Sequence, residues 1–312
     1  MAKKRIVIAL GHRALGTNLP EQKAAVVTTA RTVADFIQKG WQVAIVHSNA
    51  PQVGMIHTAM NEFSRQHPGY TPAPMSVCSA MSQGYIGYDL QNGIRSELIC
   101  RGIYKPVSTI LTQVTVSPYD DAFYTPVKKV GRYMTREEAD QEEVRGNYVT
   151  QVPGKGWQRI VSSPKPMSIV EIDAIRKLLD ADQIVICCGG GGIPVLEQGS
   201  HLKGAGAVIE KDLAAGLLAM ETSADVLLIA TSVPNVTLDH GSPEERPIHR
   251  MSAEEAREYI RQGHFEFASM LPKVEAALSF IKAGSGRRAV ITTLEKALDS
   301  IDGKAGTIIS SK

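Results

Sequence analysis

Four consecutive glycines, Gly189 to Gly192, follow the apolar run from Gln183 to Cys188. Such a run serves neither a helix nor a strand, because each glycine adds backbone freedom that folding must remove. It suits a place where bare peptide N–H groups approach an anion. A tight turn, the other reading, asks for one or two glycines. The run is not a Walker loop, since no Gly-Lys-Ser/Thr follows, and it is not Gly-x-Gly-x-x-Gly. Downstream, Lys211 and Lys273 each stand where a helix is expected to begin, with Asp212 beside the first. A helix N-terminus already favours anions, so a lysine there needs an anion or carboxylate to join it. Two such lysines after a glycine turn point to phosphoryl chemistry, in which positive charge and positioning supply most of the acceleration.

The rest of the composition narrows the classes. The chain has 312 residues, 43% hydrophobic and 21% charged, in the range of an ordinary globular α/β protein. Lys and Arg total 34 against 32 Asp and Glu, a net charge of +2, so no bulk charge favours nucleic acid or a membrane surface. No apolar run approaches the ~20 residues that span a bilayer, and the basic start is followed by too short an apolar stretch for a secretory signal. The four cysteines form no disulfide scaffold and no zinc spacing. Cys187 and Cys188 read as inert buried thiols, and the histidines share no metal-ligand spacing. A reduced, cytoplasmic setting is expected.

Residues 5–10 form a short apolar run without alternation, as expected for a strand buried on both faces. Val26, Ala30, Val33 and Ile37 follow at helical spacing after Pro20, and Gly40 stops that helix. Residues 41–46 read as a second strand leading into the loop from His47 to Gly54. This β–loop–α–β–loop order predicts a parallel sheet with its loops gathered at the strands' carboxyl ends, where open α/β sheets bind ligands. A further strand is expected over 109–116. Helices are expected at 135–143, 211–220, 252–260 and 272–281, and strands at 183–188, 225–231, 289–292 and 307–310. Thr135 with Glu138, Ser168 with Glu171, and Ser252 with Glu255 have capping-box spacing. Residues 117–166, rich in proline and glycine, read as an insertion or lid outside the main sheet. Phe123, Tyr124, Tyr133, Tyr148 and Trp157 give it material for packing of its own.

Several stretches resemble carbamate kinase, of the amino-acid kinase fold. They are GGGGIP at 189–194, AVIEKD at 207–212, GHF at 263–265 with SMLPK at 269–273, SPKP at 163–166, SQGYIGY at 82–88, LTQV at 111–114 and PQVG at 51–54. The resemblance runs in register over essentially the whole chain. It implies an α/β fold: a three-layer α/β/α sandwich around a central, mainly parallel sheet, with a small protruding lid subdomain. The implied division is one domain over 1–312, with an acceptor-side half (1–116 and 167–183), a lid (117–166) and a nucleotide-binding half (184–312). The implied reaction is the reversible conversion of ATP and carbamate to ADP and carbamoyl phosphate, usually with Mg2+, in a homodimer of arginine metabolism. By resemblance, Lys211 and Lys273 hold the transferring phosphate, Asp212 orients them, and Lys128 reaches in from the lid. Gly189, Gly190, Gly191 and Gly192 line the nucleotide phosphates, and Thr231, Ser232, Val233 and Met270 belong to the nucleotide side.

Two loops depart from the family pattern. Gly11-His12-Arg13-Ala14 stands where the family has Gly-Gly-Asn-Ala. His47-Ser48-Asn49-Ala50 stands where it has His-Gly-Asn-Gly. Gly11, His12, Arg13, Ser48, Asn49 and Ala50 are the expected substrate-binding residues. If a replaced glycine had positive φ, Ser or Ala there would cost on the order of 1 kcal/mol. His12 would fill space near the acceptor, and Arg13 would offer a planar fork to an anion. Alongside carbamate kinase chemistry, these changes leave open a different small acceptor or a catalytically impaired nucleotide-binding protein.

Overall fold

The computed structural model describes residues 3–311, and of Arg13 only the backbone. Of the basic start from Met1 to Lys4, Met1 and Ala2 lie outside the described residues, while Lys3 ion-pairs with Asp182 at 2.7 Å. The chain opens with β1 (Arg5–Leu10), α1 (Leu19–Gln38), β2 (Gln42–His47), α2 (Ala50–Gln66), α3 (Met75–Cys100), β3 (Val107–Thr109) and β4 (Gln113–Val116). The insertion adds β5 (Lys128–Met134), α4 (Arg136–Val144), β6 (Tyr148–Val152) and β7 (Gly156–Val161). Next come β8 (Pro166–Ile169), α5 (Ile172–Asp180), β9 (Ile184–Ile186), β10 (Ile193–Gln198), β11 (His201–Gly204), α6 (Lys211–Glu221) and β12 (Val226–Ala230). The chain ends with β13 (Val236–Leu238), β14 (Arg246–Ile248), β15 (Arg250–Ser252), α7 (Ala253–Arg261), α8 (Met270–Lys282), β16 (Arg288–Thr292), α9 (Ala297–Ile301) and β17 (Thr307–Ser310).

The main sheet has the order β15-β17-β16-β12-β1-β2-β9-β3 and is parallel except where β16 meets β17. Its inner strands β1, β2, β9, β12 and β16 are buried on both faces, which explains their unbroken apolar runs. Ile6, Ile8 and Leu10 of β1 point into a core shared with α1, α3 and α9. Val7 and Ala9 point into the opposite core, with α5, α6 and α8. One strand thus feeds two cores by its period of two, and the three-layer sandwich follows. The mainly parallel α/β/α expectation holds.

Local signals hold where side chain and backbone agree. Asn18 caps α1 by accepting from the Glu21 amide, and Pro20 sits in its first turn. The Thr135–Glu138 and Ser252–Glu255 capping boxes both form. The Ser168–Glu171 box does not. Ser168 lies in β8 with its hydroxyl 2.7 Å from that of Thr115, and Glu171 accepts from the Gln113 amide at 2.7 Å. The strand expected over 109–116 is two strands in different sheets. β3 ends the main sheet, while β4 joins a second sheet of order β11-β10-β4-β8. The break at Thr112 exists because Gln83 takes its backbone: Gln83 accepts from the Thr112 amide and donates to its carbonyl. β9 lies between β2 and β3, so the expected boundary at 183/184 cuts through neighbouring strands of the first half.

The insertion stands outside the main sheet, as expected, but is built differently from the reading. It contains a three-stranded antiparallel sheet of order β5-β7-β6 beside α4. Its aromatics pair with cations: Arg136 lies over Trp157 at 4.3 Å, and Lys155 over Tyr133 at 5.4 Å. Asp120 pins the neck by accepting from the Ala122 and Lys165 amides, both at 2.9 Å. Beyond the neck, Val208 donates to the Ser162 carbonyl, so the lid's exit runs beside the segment that leads into α6. The lid rests on α2 where two backbones nearly touch: a Cβ on Gly54 would lie 2.5 Å from Gly131 Cα. Gly54→Ala is therefore expected to cost about 1–3 kcal/mol through forced displacement of β5. A lower urea midpoint with faster proteolysis inside 128–161 would show it; an unchanged midpoint would contradict this contact.

Candidate phosphoryl-transfer site

The register of the main sheet brings the expected residues to one edge. Leu10 pairs with Ala230 on one side and with His47 on the other, so Gly11, Thr231 and Ser48 emerge side by side. The Gly11 amide donates to the Ala230 carbonyl, the Ser48 amide to the Leu10 carbonyl, and the Thr231 amide to the Thr292 carbonyl. A Cβ on Gly11 would meet the Ala230 carbonyl at 2.9 Å. His12 to Ala14 form one turn of 3-10 helix, with His12 exposed. Neither Ser48 nor Ala50 has a positive φ, so replacing glycine there introduces no left-handed strain. Asn49 is buried, and its amide donates to Ser82 Oγ at 2.8 Å.

Just beyond β9, the tetraglycine segment is a tight 3-10 turn entered through Cys188, itself left-handed with φ 50°. The turn requires all four glycines. Gly190, Gly191 and Gly192 have φ of 67°, 94° and 94°. A Cβ on Gly189 would strike the His47 ring at 2.3 Å. The expectation that a turn alone needs only one or two glycines is therefore incorrect here, because steric crowding from His47, Asn49 and Ile209 adds to the dihedral demand. The amides of Gly191 and Gly192 close the turn onto Cys188 and Gly189. The amides of Gly189 and Gly190 fall outside that bonding.

α6 begins two residues after Ile209, whose carbonyl presses on Gly191. At its first turn Lys211 Nζ forms an ion pair with Asp212 Oδ1. Lys273, in the first turns of α8, donates to Asp212 Oδ2 at 3.0 Å and to the Ser269 carbonyl at 3.0 Å. One carboxylate therefore joins two lysines that lie 62 positions apart (273 − 211) on neighbouring helices. The Asp212 side chain is only 5% exposed, and those of Lys211 and Lys273 are 12% and 14%. Burial alone would raise the Asp212 carboxyl. The two ammoniums outweigh it and hold the group at about 2. Burial pushes the Lys211 ammonium below its ordinary value, against the pull of Asp212. From the lid, Lys128 ion-pairs with Glu210, the residue before Lys211. Three ammoniums thus face two carboxylates in one cluster. Ser232 and Val233 follow β12 at the same sheet edge, and Met270 opens α8 and packs on the core beneath it.

Some supporting residues carried no individual signal in the sequence. Buried Gln83 donates to the Gly189 carbonyl at 3.0 Å while it holds Thr112. Thr112 Oγ1 accepts from the Cys188 amide at 3.0 Å. Both lie inside stretches that carry the family resemblance, yet a lone Gln in a helix or Thr near a strand states no partner. Glu210 was equally silent. Among the described residues no group of three His, Cys, Asp or Glu side chains is placed to hold a metal ion. Both Asp212 oxygens are already engaged by lysines. These donors do not make a protein-held magnesium cage.

Residues 4–293 match the amino acid kinase family, and the chain belongs to it. Within that family its relatives are carbamate kinases and carbamate-kinase-like proteins, and it is a carbamate-kinase-like member. It is 48% identical over 306 residues to carbamate kinase-like protein YqeA of Escherichia coli (strain K12), covering 98% of this chain and 99% of that protein. It is 43% identical over 312 residues to carbamate kinase 2 of Enterococcus faecalis, covering 98% of each. The solved structure of carbamate kinase from Giardia lamblia bound to AMP-PNP superposes with a TM-score of 0.92 at 36% identity, over 99% of both chains.

The His47 ring gives the site a pH signature. Its Nδ1 lies 2.9 Å from the Ser48 carbonyl, which can only accept, so Nδ1 carries the proton. Burial lowers the ring to about 4, against the raising effect of that bond. The folded value lies below the unfolded one. The neutral ring's contribution is therefore full above about pH 6.5 and lost as pH falls toward 4, at most about 3 kcal/mol. Urea midpoints at about pH 7 and about pH 5 should fall more steeply for the wild type than for His47→Gln. Equal slopes would show that the buried ring does not set this loss.

Proposed function

We propose that the protein catalyses reversible phosphoryl transfer between ATP and carbamate, giving ADP and carbamoyl phosphate. The observation that carries this reading is the buried Asp212 carboxylate clamping Lys211 and Lys273 beside the tetraglycine turn, in a chain whose relatives are carbamate kinases. In the forward direction a carbamate oxygen attacks the γ-phosphorus as the bond to the ADP oxygen breaks. Little covalent chemistry is asked of the protein. Lys211 and Lys273 serve as the catalytic cations over the transferring group. Asp212 is the positioning residue that fixes their ammoniums. Lys128 arrives with the lid and adds a third cation. The amides of Gly189 and Gly190, which the turn's own hydrogen bonds leave out, face the nucleotide phosphates, with Thr231, Ser232, Val233 and Met270 on the nucleoside side. Gly11, His12, Arg13, Ser48, Asn49 and Ala50 form the acceptor side.

Mg2+ belongs to this reading as an ion carried on the nucleotide's phosphate oxygens, since the chain's own carboxylates are spent on lysines. The absence of left-handed backbone at Ser48 and Ala50 supports a working acceptor side over an impaired one. The same reading makes the protein a cytoplasmic homodimer of arginine metabolism. Exposed apolar side chains on α2 and α3, among them Met55, Phe63, Val77 and Tyr88, supply surface that pairing would cover.

A coupled assay of ATP formation from carbamoyl phosphate and ADP tests the function. The wild type should turn over. Lys211→Ala and Lys273→Ala should each lose about 100- to 1000-fold in kcat. Thermal shifts with ADP would confirm that both variants fold and bind nucleotide. Wild-type turnover that survives either substitution within a few-fold would overturn the assignment.

A further inference from the structure

A polar cavity of about 760 Å³ lies between α2 and the lid. It runs along α2 from Gly54 past His57 and Asn61 to Arg65. At 1.5 Å per residue, His57 lies roughly 10 Å along the helix from the end that carries the acceptor loop. Three of the four arginines lining the cavity have a lining glutamate as partner: Arg65 pairs with Glu62, Arg132 with Glu138 and Arg145 with Glu142. The fourth, Arg159 on β7, has no carboxylate in ion-pair contact among the described residues. Its Nη1 lies 3.0 Å from His57 Nε2, and its buried Nε has no hydrogen-bond partner.

An arginine cannot shed its proton to escape burial, so its charge asks for an anion. His57 does not add a second cation. Burial, and then the Arg159 charge, lower its ring to about 4 against the pull of Glu142. Asn61 Nδ2 lies 2.9 Å from His57 Nε2, while its Oδ1 is buried without a partner. Glu142 reaches Arg159 with its charge but is already paired with Arg145, so the wall holds one guanidinium without an ion pair of its own and with a buried Nε donor left over; Asn61 Oδ1, an acceptor, does not serve an anion.

We propose that this cavity binds a small doubly charged oxyanion, a phosphate or a dicarboxylate, with Arg159 as its anchor. The bound anion joins β7 to α2 and so steadies the lid on the body. The site is separate from the lysine cluster and does not depend on how that cluster works.

Isothermal titration with inorganic phosphate and, separately, with succinate tests the proposal. The background is the Lys211→Ala, Lys273→Ala double variant, which removes the competing cationic cluster. At least one of the two anions should bind, and adding Arg159→Gln should weaken it tenfold or more; which anion binds identifies the class. In the wild-type protein, the same anion should slow amide exchange in β5 and β7, and Arg159→Gln should remove that protection. If the combined variants do not fold, wild-type crystals soaked in selenate supply the readout. Anomalous density at the Arg159 guanidinium supports the site. Density at the lysines alone, or binding by neither anion, overturns it.

Discussion

Two ammonium groups share one buried carboxylate, and that arrangement carries an excess positive charge the folded chain does not neutralise. Asp212 spends one oxygen on Lys211 and the other on Lys273. Removing a partner from such a buried set generally costs roughly 3–5 kcal/mol, because a charge is then stranded. The cluster is therefore both a structural tie between α6 and α8 and a standing demand for an anion. Lys128 and Glu210 extend it to the lid, so the charges proposed to recognise a phosphoryl group also tie the lid to the start of α6.

The scaffold exists to hold that cluster against the glycine turn. Parallel strands align Gly11, Ser48 and Thr231 at one sheet edge by backbone register alone. Gln83 and Thr112 fix the turn from behind. His47 and Asn49 crowd it from the second loop, so that a side chain on Gly189 or Gly190 would collide. The turn's shape is thus set by protein contacts before any ligand arrives, which is the preorganisation that electrostatic catalysis requires. The cost of rebuilding it falls on folding rather than on the reaction.

Much of this was legible in the sequence, for identifiable reasons. Apolar runs such as 5–10 announced strands buried on both faces, and Thr135–Glu138 and Ser252–Glu255 announced helix starts, because those signals are local. Ser168–Glu171 had the same spacing and failed, since Thr115 and Gln113 offered better partners across a sheet. α2, α3 and the lid's three-stranded sheet were not foreseen; the apolar side chains of α2 and the lid meet in a small cluster with Ala73, Met75, Cys78 and Val208, apart from the cores of the main sheet. Lys211, Asp212 and Lys273 were singled out, yet their meeting at one carboxylate is a tertiary fact that no spacing states. Gln83 and Glu210 were silent for the same reason.

The most direct measurement is a crystal structure of the protein with AMP-PNP and magnesium. The account expects the terminal phosphoryl group between the Lys211 and Lys273 ammoniums, with the amides of Gly189 and Gly190 turned toward the phosphates and Asp212 still joining both lysines. A nucleotide whose phosphates lie away from that pair, with the lysines left on Asp212 alone, would contradict it.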